Sequence, residues 1–232
     1  MVVGRSASRR TEGLRRGRFR AGLLWTALLA LSLSTATWIG GGRPARNEAP
    51  IRAVLSSSGH GDRSLTLSTA SLYAENDPWK AYLASESVCP GGERTDLPIA
   101  RQVAAVACLV NFARKRQGLR ELDVRSVLNG GSARKAKAII RCENFAHDPC
   151  GGDWTSAVRS TGYAGVFGEN LYIASGRWGA PRVAVDAWLN SAPHRANLFR
   201  RAWREQGLAV LSRESFHGSR DVSVWVSVLG DR

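Results

Sequence analysis

Histidine, cysteine and lysine are scarce in this chain of 232 residues, with four His, four Cys, and only four Lys among 33 basic residues. No Cys-x-x-Cys spacing occurs, which argues against a structural zinc site. His-Glu-x-x-His, Gly-x-Ser-x-Gly and a Cys–His nucleophile pairing are all absent. Their absence removes the commonest metallopeptidase, serine-hydrolase and cysteine-protease signatures. There is no internal repeat and no nucleic-acid-binding motif, and the arginines of the C-terminal half are scattered, so nucleic acid is not an expected partner. Only one long uncharged run exists, residues 21–40.

What is present is a chain able to fold. Hydrophobic residues make up 44% and charged residues 22%, which excludes global disorder. The length suits one medium domain with extensions. The net charge of +14 is unevenly spread. Residues 1–20 hold seven Arg and one acid, residues 21–95 hold six charges of each sign, and residues 96–232 carry 20 basic and 12 acidic residues. A basic arm followed by an apolar run reads as a signal peptide or signal anchor over residues 1–38. Ser34 and Ala36 offer small residues for cleavage. The run also reaches the ~20 residues needed to span a bilayer. In either case the arm stays cytoplasmic and the remainder is secreted or extracytoplasmic.

Export gives the cysteines a role. Cys89, Cys108, Cys142 and Cys150 are even in number, as in a disulfide framework, and three connectivities are open. Cys142 and Cys150 enclose only seven residues, so a local bridge is expected there, which leaves Cys89 with Cys108. Residues 39–95 show little periodicity and read as a linker, mostly flexible, with a short helical piece near residues 79–85.

From Leu97 the pattern sharpens. Ile99, Val103, Val106, Ala107 and Val110 recur at helical spacing, and Gly118 ends that helix. A second helix is predicted over residues 124–144, where Gly130-Gly131 suggests close approach of another element. A short third helix starts at Asp153-Trp154. Residues 167–174 read as a strand, and Ala180-Pro181 opens a fourth helix whose inner face carries Val185, Trp188 and Leu189. Two strands, residues 207–212 and 222–229, close the chain around a polar loop. The class is α+β, with helices packed over a small sheet.

His60 lies in the expected linker and His217 in the expected hairpin loop, and neither is assigned a role. His147 stands inside the Cys142–Cys150 loop, His194 just after the fourth helix, and Glu169 on a largely apolar strand. A carboxylate there needs partners, because an unpaired buried charge is costly. Two imidazoles and one carboxylate can hold a divalent metal, or can form a hydrogen-bonded polar cluster.

These residues carry a resemblance. Asn111-x-x-Arg114-x-x-x-Gly118-Leu119-x-x-Leu122 resembles the first-helix signature of bacterial CAP-superfamily (SCP-like) domains, the superfamily of cysteine-rich secretory, antigen-five and pathogenesis-related proteins. Phe145-Ala146-His147 is similar to its F-S-H. Gly162-Tyr163 and Gly168-Glu169-Asn170-Leu171 resemble its A-G-Y and G-E-N-I. Residues 184–198, with Trp188, Ser191, Pro193, His194, Arg195 and Asn197, resemble V-x-x-W-M-x-S-P-G-H-R-x-N-I-L. The resemblance covers residues 97–232, and residues 96–232 are taken as the domain. It implies an α-β-α sandwich, helices on a small, mainly antiparallel sheet, with a cleft lined by a His-Glu-Glu-His tetrad. His147, Glu169 and His194 match three members, and Asn170 follows Glu169 in the same motif. The second Glu is unmatched, since Ser191 holds its position, and Asp186 on the same helix is the candidate substitute. The implied metal ligands are His147, Glu169 and His194, for Zn²⁺ or another divalent cation. Two functions compete. One is a binding or structural module for a lipid, glycan or peptide at an anionic cell-envelope surface. The other is a metal-dependent, peptidase-like hydrolase with Glu169 or Asp186 as general base.

Overall fold

The computed structural model describes residues 53–57, 65–66 and 77–232, all within one compact unit, Asn47–Arg232. The expected signal segment, residues 1–38, and His60 lie outside the described residues. Among the described residues no helix is long and apolar enough to cross a membrane.

Among the described residues six strands form one sheet: β1 (Ala53–Ser57), β2 (Leu65–Thr66), β3 (Asp123–Val124), β4 (Val166–Ser175), β5 (Glu205–Phe216) and β6 (Ser219–Asp231), in the order β2-β1-β4-β6-β5-β3. All pairings are antiparallel except the short β3–β5 pair. The described residues form five α-helices that cover it: α1 (Ile99–Arg116), α2 (Ser126–Cys142), α3 (Ser156–Arg159), α4 (Pro181–Asn190) and α5 (Ala192–Leu198).

The central strands are buried on both faces, so they read as almost unbroken apolar runs. Alternation along β4 sends Phe167, Leu171 and Ile173 to one core with Leu128, Ala136 and Ile139 of α2. Tyr172 and Ala174 enter the other core, with Val106 and Val110 of α1 and Ala184 and Trp188 of α4. The result is a helix–sheet–helix sandwich, the class expected from sequence.

Several elements differ from the sequence reading. The segment expected as a linker supplies β1 and β2, and β1 pairs with β4 from Ala53↔Ala174 to Ser57↔Asn170. Its C-terminal part is also ordered, with one 3₁₀ turn at Lys80–Tyr82. The second helix starts at Ser126, because residues 123–124 are taken by β3. The expected polar loop before β6 is mostly strand. Arg213↔Val222 and Ser215↔Arg220 are paired, and the hairpin turns on His217-Gly218, both with positive φ (46° and 75°).

Glycine explains two close approaches. A Cβ on Gly131 would lie 3.0 Å from Val158 of α3, the packing expected from the Gly-Gly pair. A Cβ on Gly207 of β5 would lie 2.2 Å from Leu128, so α2 rests directly on that strand.

Both expected disulfides are present. Cys89–Cys108 ties the segment before α1 to that helix, with a Cα separation of 5.6 Å. Cys142–Cys150 closes the loop after α2, with a Cα separation of 5.4 Å.

The first-helix motif is a clamp. Asn111 Nδ2 donates to the Leu122 carbonyl (3.1 Å), and its Oδ1 accepts from the Leu122 N–H (2.9 Å). Arg114 is fully buried and donates to the carbonyls of Arg120 (2.9 Å), Leu198 (2.6 Å) and Arg200 (3.2 Å). Burial, reinforced by Arg204 and Arg120, pulls its pKa down to about 10.

Candidate functional site

Three elements build the site. β4 presents Glu169 toward α2, since Glu169 shares its strand face with Phe167 and Leu171. The disulfide-closed loop after α2 presents His147. The α2 helix presents Lys135, which lies on its buried face with Leu128, Ser132 and Ile139.

His147 Nδ1 and Glu169 Oε1 are 2.7 Å apart, and both residues are buried. Lys135 Nζ lies 3.4 Å from the same carboxylate oxygen. The ammonium also donates to the His147 carbonyl and to the Trp154 carbonyl (2.8 Å). Three partners match the three N–H donors of an ammonium. The Trp154 ring stands edge-on to His147 at 6.4 Å and to Phe167 at 5.3 Å, an aromatic wall beside the pair.

Because a carboxylate only accepts, His147 Nδ1 carries the proton toward Glu169, and in the neutral ring Nε2 carries the lone pair. Nε2 is buried and has no hydrogen-bond partner among the described residues.

The other expected residues are placed differently. Asn170 points to the opposite face of β4, where its Nδ2 donates to the His194 carbonyl (3.1 Å) and its Oδ1 accepts from Asn197 (2.9 Å). His194 lies in α5, buried, with Nδ1 at 2.6 Å from Ser191 Oγ. Ser191, at the position of the unmatched second Glu, is therefore a partner of His194. Asp186 is buried in α4 and accepts from Asn190 Nδ2 (3.0 Å). Burial, then the neighbouring Asp77 carboxylate, pushes its pKa up to about 8. Its interactions run to Asp77, Arg182 and Asn190, and none of His147, Glu169 or His194 is among them.

The structure thus joins His147 to Glu169 and ties His194 to Asn170, the next residue of the same strand but on its other face. Among the described residues, no group of three or more His, Cys, Asp or Glu is placed to hold a metal ion. The donor set does not fit a resident divalent metal. It offers one carboxylate whose Oε1 already faces both an ammonium and an imidazole, and among the described residues no third His, Cys, Asp or Glu is grouped with that pair. Sequence reasoning missed Lys135. Its signal was a lysine four residues from both Gly131 and Ile139, on the packed face of a helix.

A family model described as the cysteine-rich secretory protein family, CAP, matches residues 108–228, more than half of the chain. No curated protein matches. Among solved structures, an extracellular protein containing an SCP domain from Bacillus anthracis is similar at 20% identity and a TM-score of 0.48, over 58% of this chain and 41% of that one. A cysteine-rich secretory protein from Staphylococcus aureus is similar at 18% identity and a TM-score of 0.46, over 60% of this chain and 41% of that one. An outer surface protein of Borrelia burgdorferi is similar at 18% identity and a TM-score of 0.45, over 55% of this chain and 90% of that one. The chain spans 41% of the length of the first two. With the family match running from the middle of α1 to the last core strand, the chain belongs to the CAP, or cysteine-rich secretory protein, family.

Proposed function

We propose that this chain is an exported CAP module that binds a ligand or organises a surface at the cell envelope, and that it is not a hydrolase. The observation that carries this reading is the buried set of Lys135, Glu169 and His147, in which one carboxylate oxygen faces both the ammonium and the imidazole. A metal-dependent hydrolase needs an open metal with a bound water and a carboxylate available as base. Glu169 is committed to Lys135 and His147, and Asp186 to Asn190 and Asp77. Two disulfides and the basic, then apolar, N-terminal sequence support export. The excess of basic residues over residues 96–232 supports an anionic partner surface. The ligand itself is a lipid, glycan or peptide.

The test pairs binding with turnover. The full chain is titrated against phosphatidylglycerol-rich vesicles and against a purified anionic cell-wall polymer, at low and high salt. Peptide and ester substrates are assayed with and without Zn²⁺. Salt-sensitive binding without turnover is expected. Turnover that depends on Zn²⁺ and disappears in His147→Ala would overturn the reading, as would failure to bind either surface.

A further inference from the structure

A divalent metal beside Glu169 would do two things. It would neutralise the buried carboxylate, and it would fix the neighbouring imidazole. Lys135 does both with the chain's own atoms. Its side chain is 3% exposed and that of Glu169 is 0% exposed, so the two charges meet out of water. The ammonium spends its remaining donors on the carbonyls of His147 and Trp154, which fastens the disulfide-closed loop to α2. Glu169, so held, takes the Nδ1–H of His147 at 2.7 Å. The opposite ring nitrogen, Nε2, is buried without a partner among the described residues.

We propose that Lys135 is the resident cation of this site in place of a metal. Through Glu169 it locks His147 in the Nδ1–H tautomer and leaves Nε2 as the acceptor for a hydroxyl or amide N–H of a neutral ligand group. Lys135 is a positioning residue, since it acts on the ligand only through His147. The ligand group is a hydroxyl or an amide N–H because an imidazole nitrogen that carries only a lone pair can accept a hydrogen bond but not donate one. The inference rests on the binding-module reading and gives that site its ligand chemistry.

The probe is Zn²⁺ alone, added to the full chain. Uptake is followed by native mass spectrometry, and the His147 ring by two-bond ¹H–¹⁵N spectra. In the wild type the ring is expected as the Nδ1–H tautomer, with Nε2 unprotonated and unshifted by excess Zn²⁺. Lys135→Met removes the cation and keeps the carboxylate, so affinity for Zn²⁺ should rise at least about tenfold, with new shifts at His147. Lys135→Gln, which keeps a donor for the two carbonyls, gives the same reading if the Met variant does not fold. An Nε2–H tautomer in the wild type overturns the proposal. So does stoichiometric Zn²⁺ uptake that shifts His147 in the wild type, or a folded Lys135 variant with no gain in affinity. The two readings fail separately. Zn²⁺ uptake without turnover sinks the resident cation alone. Loss of surface binding with the tautomer intact sinks the envelope reading alone. Uptake with turnover sinks both.

Discussion

The two faces of the sheet bury their largest groups by different means. On the α1–α4–α5 face lie Trp188, Trp203 and Trp225, all fully buried, each with its indole N–H on a backbone carbonyl. Its one fully buried cation, Arg114, binds only carbonyls. On the α2 face the core is mostly Val, Leu and Ile, and the buried cation Lys135 meets a carboxylate. The first face is held by shape and by a guanidinium fork. The second holds a paired charge beside an imidazole. Chemistry that needs a polarised group in a dry site therefore belongs to the α2 face, and the other face supports it.

Packing on the first face gives the largest expected loss. Trp188→Ala removes a fully buried indole and its bond to the Leu171 carbonyl at 3.2 Å. The cost is about 3–5 kcal/mol, read from the shift in a denaturant midpoint at constant slope. A folded, equally stable variant with altered ligand binding would erase the contrast between the faces.

A smaller loss separates the two buried cations. Arg114 reaches three carbonyls from separate stretches of chain with a planar fork. A compact ammonium with a single nitrogen cannot reproduce that geometry, so Arg114→Lys should cost about 2 kcal/mol. If the Lys variant matches the wild type in a denaturation curve, the clamp is dispensable, and Asn111 alone secures the turn after α1.

The same contrast explains what the sequence revealed. Trp188 on α4, the disulfide pairs, and the order of α1 to α4 with β4, β5 and β6 are legible, because each depends on local spacing or on a strong apolar stripe. The α2 face was only half legible. Glu169 on an apolar strand needs partners, the sequence offers His147 and His194, and His147 lies 2.7 Å from its carboxylate. Lys135 was hidden because a single lysine in a helix reads as solvated, and only the tertiary packing of α2 on β5 turns it inward. β1 was hidden for a related reason. Ala53–Ser57 is short and bordered by polar residues, and it becomes a strand because β4 offers it an edge. The hairpin turn left a readable sign, His217-Gly218 between alternating residues, a close relative of the Asn-Gly signal. Asp186 was expected at the cleft because it shares α4 with the unmatched position, but its interactions run to Asp77, Arg182 and Asn190.

Asp186 also gives the smallest and most specific prediction, a pH dependence confined to the first face. Burial and then Asp77 raise its pKa in the folded state to about 8, against an ordinary value of 3.8. The folded state therefore binds a proton that the unfolded chain releases near pH 4. The stabilisation linked to this carboxyl is full below about pH 4. It declines as pH rises and is gone above about pH 8, where two facing carboxylates must both be charged. Asp186→Asn keeps the shape and an acceptor oxygen for Asn190 but cannot ionise. Its unfolding free energy, measured from pH 4 to 9, should fall less steeply than that of the wild type. The two curves should lie closest near pH 4 and separate in favour of the variant toward pH 9. Parallel curves would show that Asp186 ionises in the folded protein as it does in the unfolded chain. The first face would then also hold a buried carboxylate, and the distinction between a face whose buried cation meets only carbonyls and one with a paired charge would fall.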